Sequence, residues 1–238
     1  MNTLGHPRVH LRLTDSTNER ARLLALSGAP HGTLVTAAEQ SEGRGRQGRR
    51  WSAPAGSSLL MSLLVRSPPA LLPLIGAIAV CDIAGDEAQI KWPNDIVVPR
   101  AESLAKLAGI LIEGRPQEGW AVLGIGLNVA LRLEDLPAEL ALTAATLGAS
   151  TEQIEPTLTR LLEALELRLS EPAEATLEAW RLRDALRGRE ISWSRAAGPP
   201  GAEHGRAEGI DGNGRLIVAL PDGGRLTLDA GEVHLVSR

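Results

Sequence analysis

Phenylalanine and tyrosine are absent from this 238-residue chain, so five tryptophans carry all of its aromatic surface. There is one cysteine, Cys81, which permits no internal disulfide and fits a reducing compartment. Lysine is nearly missing too: of 25 basic side chains only Lys91 and Lys106 are lysines, and the other 23 are arginines. A general arginine bias explains the count, yet the two remaining lysines mark where a compact, rotatable ammonium has a use that arginine cannot fill. No long apolar run occurs. The longest, Leu71 to Cys81, is broken by Pro73 and followed by Asp82, short of the roughly 20 residues a spanning helix needs. No basic start with a following apolar stretch marks a signal peptide. These absences predict a soluble cytoplasmic protein that does not engage a membrane. The formal net charge of -4 excludes a surface given over to nucleic acid, so any basic cluster is a local feature.

One such cluster exists. "EGRGRQGRRW", Glu42 to Trp51, sets four arginines and three glycines in ten residues. Glycine lets backbone approach a ligand, and arginine offers a planar fork that matches phosphate or carboxylate oxygens. The Walker pattern is absent, so nucleotide hydrolysis of the P-loop kind has no support. An RNA-binding segment would need more repeats and aromatic interleaving. A solvated surface loop stays open as a reading of this segment alone.

The surrounding sequence predicts alternating helices and strands to about Leu169, helices to about Leu186, then a glycine-rich β segment. "STNERARLLALSG" opens with a capping box, Ser16 and Glu19, and closes at Gly28. "TLVTAAEQ" and "SLLMSLLV" suit strands buried on both faces. "AQIKWPND" reads as a strand stopped by Pro93 and a turn, while "KLAGILIEG" and "WAVLGIGLNVAL" are strands that could pair. Ile154, Leu158, Leu161, Leu162 and Leu165 recur at helical spacing, and a second helix surrounds Leu177 and Trp180. After Gly188, short strands alternate with "DGNG" and "PDGG" turns, predicting a small antiparallel barrel of about 50 residues with "RAAGPPGAEHG" as a loop inside it. The expected division is a catalytic domain over 1–186 and a small β-barrel domain over 187–238.

Several polar segments fall where strands or helices end, which is where sites collect in such folds. "STN" at Ser16–Asn18, "GRGRQGRRW" at Gly43–Trp51, "KWPND" at Lys91–Asp95, "KLAGILIE" at Lys106–Glu113 and "GIGLNV" at Gly124–Val129 follow one another in the order and approximate spacing of biotin protein ligases. Over nearly its whole length the chain resembles that family. The resemblance implies an α+β fold: a mixed β-sheet with flanking helices, followed by an SH3-like barrel. It implies an ATP-dependent ligase with ATP and biotin as substrates and Mg2+ as cofactor. Biotinyl-5'-AMP forms with release of pyrophosphate, and biotin then passes to one lysine of a biotin carboxyl carrier partner. A homodimer is implied as well.

Site roles carry over residue by residue. Ser16, Thr17, Asn18, Gln40, Gly43, Arg44, Gly45, Arg46, Trp51, Lys106 and Gly109 resemble the biotin-binding set. Arg44, Arg46, Arg49, Trp51, Lys91, Asn94, Lys106 and Asn128 resemble the ATP and adenylate set, Asn128 being the adenine contact. Lys106, Arg46, Lys91 and Asp95 are the implied catalytic groups, Asp95 holding magnesium or orienting the acceptor lysine. Because a carboxylate must attack a phosphate, cations have to neutralise two repelling anions. A loop able to close would keep water from the resulting anhydride, which predicts a loop that orders only with ligand.

The sequence departs from the family at Glu42, where a small neutral residue is usual, at Gln47, where Arg is frequent, and in the longer "IVVPRAESLA" connection. With "STN" beginning at Ser16, no room is expected for a helix-turn-helix unit, so DNA regulation is not anticipated. Two rivals remain: a lipoate or octanoate ligase or transferase of the same fold, whose acyl-transfer branch uses a nucleophilic cysteine, and a nucleic-acid binder using the arginine loop. Cys81, in an apolar helix-like segment, reads as a core residue.

Overall fold

A computed structural model describes residues 4–101, 103–193, 203–229, 231 and 233–236. Strand β1 (Arg8–Leu11), helix α1 (Thr17–Leu26) and strand β2 (Leu34–Ala37) precede the arginine loop, and β3 (Ser58–Arg66) and α2 (Leu72–Ala84) follow it. Four strands then run without an intervening α-helix: β4 (Gln89–Lys91), β5 (Asp95–Arg100), β6 (Ser103–Arg115) and β7 (Trp120–Asn128). The expected alternation of helix and strand therefore fails over this stretch. Connections this short cannot carry a crossover, so the strands pair antiparallel.

Together they build a seven-stranded sheet in the order β1-β2-β3-β7-β6-β5-β4, with only β1 and β2 parallel. "SLLMSLLV" is apolar throughout because both faces are covered. Leu59, Met61, Leu63 and Val65 face the large core beneath α2, whereas Leu64 packs with Ala21 and Ala25 of α1 on the other face. Helices α3 (Ala138–Thr143), α4 (Ile154–Ser170) and α5 (Ala173–Leu182) come next. On α4, Leu158, Leu161 and Leu165 are buried, one stripe of an amphipathic helix.

Helix α1 forms where expected, but not by a capping box. Ser16 is the N-cap residue and makes no side-chain cap bond, while Glu19 turns outward to Arg22 and Arg44. A carboxylate gains more from two guanidinium groups than from one neutral amide. The Thr17 N–H is met instead by Gln40 Oε1 at 2.7 Å.

The C-terminal strands are β8 (Glu190–Trp193), β9 (Glu203–Ile210), β10 (Leu216–Ala219), β11 (Arg225–Leu228) and β12 (Val233–Leu235). They form an open antiparallel sheet in the order β11-β10-β9-β8-β12, not the expected closed barrel: among the described residues the edge strands β11 and β12 do not pair. Of the loop expected at 195–205, residues 203–205 belong to β9, and the remainder lies outside the described residues. This sheet packs onto the larger core through Ile191, Trp193, Leu216 and Val218. Backbone bonds from Ile90 to Arg183 and from Ala185 to Ile90 dock the segment that leads into this sheet, and a Trp92 Nε1 bond to the Gly214 carbonyl at 3.0 Å joins the two parts.

Candidate active site

The segments singled out in the sequence converge on one face. Ser16, Thr17 and Asn18 arrive at the start of α1, Gln40 and the arginine loop fold over them, and β5 and β6 supply Asp95, Lys106 and Gly109. They line a single cavity with Arg44, Gly45, Arg46, Arg49, Trp51 and Asn94. Three expected members do not. Gly43 lines a separate cavity with Glu42 and Glu113. Lys91 sits opposite Asp95 in the β4–β5 register but lines no part of this cavity. Asn128 lines an adjoining cavity with Leu131, Leu136 and Leu140.

Lys106 and Trp51 border both cavities. A strand irregularity explains how Lys106 gets there. In a regular strand, residues three apart face opposite ways, yet a Cβ placed on Gly109 would lie 3.3 Å from Lys106 Cε. The β5–β6 register shifts between Ile96 and Val97, inserting Leu107 as an extra residue, and such a bulge reverses the parity beyond it. Lys106 Nζ then reaches Asp95 Oδ1 at 2.6 Å and lies 5.6 Å from the centre of the Trp51 ring, within range of a cation–π contact.

The glycines of "GIGLNV" do allow close approach, but of protein side chains. A Cβ on Gly124 would come within 2.1 Å of Asn18 Oδ1, and one on Gly126 within 2.5 Å of Trp51 Cε2. Small residues on β7 thus make room for two walls of the cavity. Asn128 is buried with its amide spent on structure: Nδ2 donates to the Ala145 carbonyl at 2.9 Å and the Lys106 carbonyl at 3.4 Å, and Oδ1 accepts from Ser58 at 3.2 Å.

The floor is a hydrogen-bonded chain. Gln40 Oε1 accepts from the Thr17 backbone N–H at 2.7 Å, which fixes the orientation of its amide and leaves its N–H groups as donors. Ser62 Oγ is 2.6 Å from Asn18 Oδ1 and 2.8 Å from Thr17 Oγ1; its one proton goes to the amide oxygen, so it accepts from threonine. Ser62 is missing from the residues read from sequence, and so is Glu113, which accepts from Asn18 Nδ2 at 2.9 Å. Both had a signal: a serine inside a strand apolar on both faces, and a carboxylate closing an apolar strand.

The loop folds back on itself. Gly45 N–H bonds the Arg49 carbonyl, Trp51 N–H bonds that of Gly43, and Arg50 Nη2 donates to the Ser41 carbonyl at 2.6 Å. Arg44 pairs with Glu19 and Glu113 at 3.1 and 3.3 Å. The bond from Arg22, with Arg44's charge adding, holds Glu19 below the usual carboxylate range. Arg46 Nη1 is 3.4 Å from Asn94 Oδ1. No group of three or more metal-ligating side chains occurs among the described residues, and Asp95 is the one carboxylate lining the cavity. Cys81 lies in α2 within the core, where burial pushes its thiol up to about 12.

Residues 10–129 match the Biotin/lipoate A/B protein ligase family and residues 201–236 match the biotin protein ligase C-terminal domain. The chain is 33% identical over 248 residues to the biotin--[acetyl-CoA-carboxylase] ligase of Paracoccus denitrificans, covering 94% of this chain and 98% of the relative. It belongs to the biotin protein ligase family. The ligase of the same name from Mycobacterium tuberculosis is 33% identical, with 93% and 86% of the two chains covered. In fold, this family member is similar to the biotin protein ligase of Aquifex aeolicus in complex with biotin and ATP, with a TM-score of 0.76 at 24% identity over 98% and 100% of the two chains. No helix among the described residues is long and apolar enough to cross a membrane.

Proposed function

We propose that this family member is a biotin–protein ligase that joins biotin to ATP as biotinyl-5'-AMP, releases pyrophosphate, and passes biotin to a lysine of a carboxylase carrier domain. The observation that carries this reading is the placing of Lys106 on the border of two cavities. An acid in one and a nucleotide in the other would meet at its ammonium, which neutralises the attacking carboxylate and the α-phosphate together.

Choice of acid follows from the floor. A ureido ring offers one carbonyl and two N–H groups to Ser16, Thr17 and the Gln40 amide. The ring of lipoate and the chain of octanoate offer nothing in return and would leave buried polar groups unpaired, a penalty large enough to discriminate strongly. Trp51 and Gly109 then flank the acyl chain, with Gly45 and Arg46 closing above it.

Adenine would occupy the apolar cavity beside Leu131, Leu136 and Leu140. Since both Asn128 donors are committed, only its oxygen is open to the nucleotide. Arg46, Arg49 and Asn94 face the triphosphate side, and Lys91 acts from the strand behind Asp95 rather than by contact. Magnesium fits as a companion of ATP: a single carboxylate with phosphates and waters is a usual set for this ion. Asp95, already holding Lys106, also orients an incoming lysine.

The same reading divides the chain at 186/187 and places it in the cytoplasm. It pairs two copies through β1, because β4, the other edge of the large sheet, is occupied by the Arg183–Ala185 segment. The test is biotin-dependent exchange of labelled pyrophosphate into ATP, with lipoate and octanoate in parallel. Exchange with biotin alone is expected; exchange with lipoate or octanoate, or none with any acid, overturns the assignment.

A further inference from the structure

The loop is rooted on the body of the protein where the Glu42 N–H bonds the Asp15 carbonyl, and its further backbone bonds from Gly45 and Trp51 close it upon itself. Beyond that root Arg46 reaches Asn94, and Arg44 joins the loop to acids of the protein. Its Nη1 stands between Glu19 Oε2 on α1 and Glu113 Oε1 on β6. Glu113 divides its two oxygens. Oε1 faces the loop through Arg44, and Oε2 accepts from Asn18 Nδ2. Asn18 cannot drift, because its side chain fills the space left by Gly124 and its oxygen is held by Ser62. One carboxylate thus links the loop to the floor of the acid pocket, on the same strand that carries Lys106.

We infer that Glu113, assisted by Glu19, is a positioning residue that clamps Arg44 and holds the loop shut over the activated acid. Arg44 then serves retention, and charge neutralisation at phosphate falls to Lys106 and Arg46. Filling the pocket through Thr17 and Gln40 tightens the Ser62–Asn18–Glu113 chain and sets the Glu113 carboxylate for the guanidinium. The functional half rests on the adenylate reading above; the clamp itself does not.

Glu113→Gln separates the two halves, since the amide oxygen still accepts from Asn18 while the charge on Arg44 is lost. Two rates are measured: tryptic cleavage within the loop of the ligand-free protein, and release of biotinyl-AMP from the isolated complex. Both should rise about tenfold, as expected for loss of a charge-assisted contact, with the KM for biotin little changed. Arg44→Gln removes the other side of the contact together with the pairing to Glu19, and the double variant should be no worse than Arg44→Gln alone. Unchanged cleavage in Glu113→Gln, or additive effects in the double variant, overturns the clamp. Faster cleavage with unchanged adenylate release overturns its role in retention. A wild-type protein that forms no adenylate sinks the ligase reading, and cleavage still decides the clamp. A merely structural Glu113 would lower thermal stability and raise KM and release together.

Discussion

Gly126 and Trp51 occupy what is in effect one volume: a Cβ on the glycine would lie 2.5 Å from Cε2 of the indole. The ring can stand between the two cavities only because β7 has no side chain there. Gly126→Ala therefore pushes the indole off the strand and moves the surface over which Lys106 is held. Pyrophosphate exchange should fall on the order of 100-fold, the usual consequence of misplacing reacting groups by an ångström. Far-ultraviolet circular dichroism should stay unchanged while tryptophan emission shifts. Full exchange in a folded variant would show that Trp51 is not a wall of the reacting site.

Lys106 and Asp95 should separate the two half-reactions. Lys106→Met is expected to lower exchange by roughly 100- to 1000-fold, the range for loss of one preorganised stabilising group. Asp95→Asn should affect exchange less and slow transfer to the carrier lysine by about 100-fold, as for removal of an orienting base. Exchange and transfer measured separately check this, and equal loss in both steps for Asp95→Asn would remove its assigned part in transfer.

Cys81 gives a test against cysteine chemistry. With its thiol pushed up to about 12 by burial in α2, it should resist thiol reagents at neutral pH in the folded state. Cys81→Ala should keep full exchange and transfer and cost about 1 kcal/mol of stability from lost core packing, measured by urea denaturation. Loss of turnover without loss of stability would revive an acyl-transferase mechanism.

Stability should also depend on pH through Asp184, at the junction of the two sheets. Burial pushes its carboxyl above the ordinary value of 3.8, and Oδ2 is buried with no hydrogen-bond partner among the described residues. The folded state therefore holds this proton more tightly than the unfolded chain. Its contribution is fully present below the unfolded value and is lost as pH rises through the raised folded value. Wild type minus Asp184→Asn, followed by denaturant midpoint from acid upward, should decline over that window. A flat difference would mean that the carboxyl is solvated in solution.

Much of this was legible along the chain. Apolar runs, turn glycines and polar punctuation located the strands and α1, and the five motifs marked a site that the fold then assembled. Their chemistry was readable because residue type limits it: a Gly-Arg loop, two lysines and a helix start rich in hydroxyls can meet an anionic, polar ligand. Ser62 and Glu113 were not singled out, since each lies in a strand whose pattern speaks of core and their partners, Thr17 and Asn18 on α1 and Arg44 on the loop, come near only in the fold.

The sequence by itself determined the inventory, namely which segments are buried, where they end, and which charges can meet an anion, because these depend on local periodicity and on side-chain type. Tertiary structure decided the pairings. A bulge at Leu107 set the side to which Lys106 points, Gly124 and Gly126 turned out to yield space to Asn18 and Trp51, Glu19 left a cap for Arg44, and the terminal strands stayed an open sheet. Each of these rests on contacts between residues far apart in the chain, where hydrogen-bond geometry and excluded volume choose among partners that local pattern leaves equivalent.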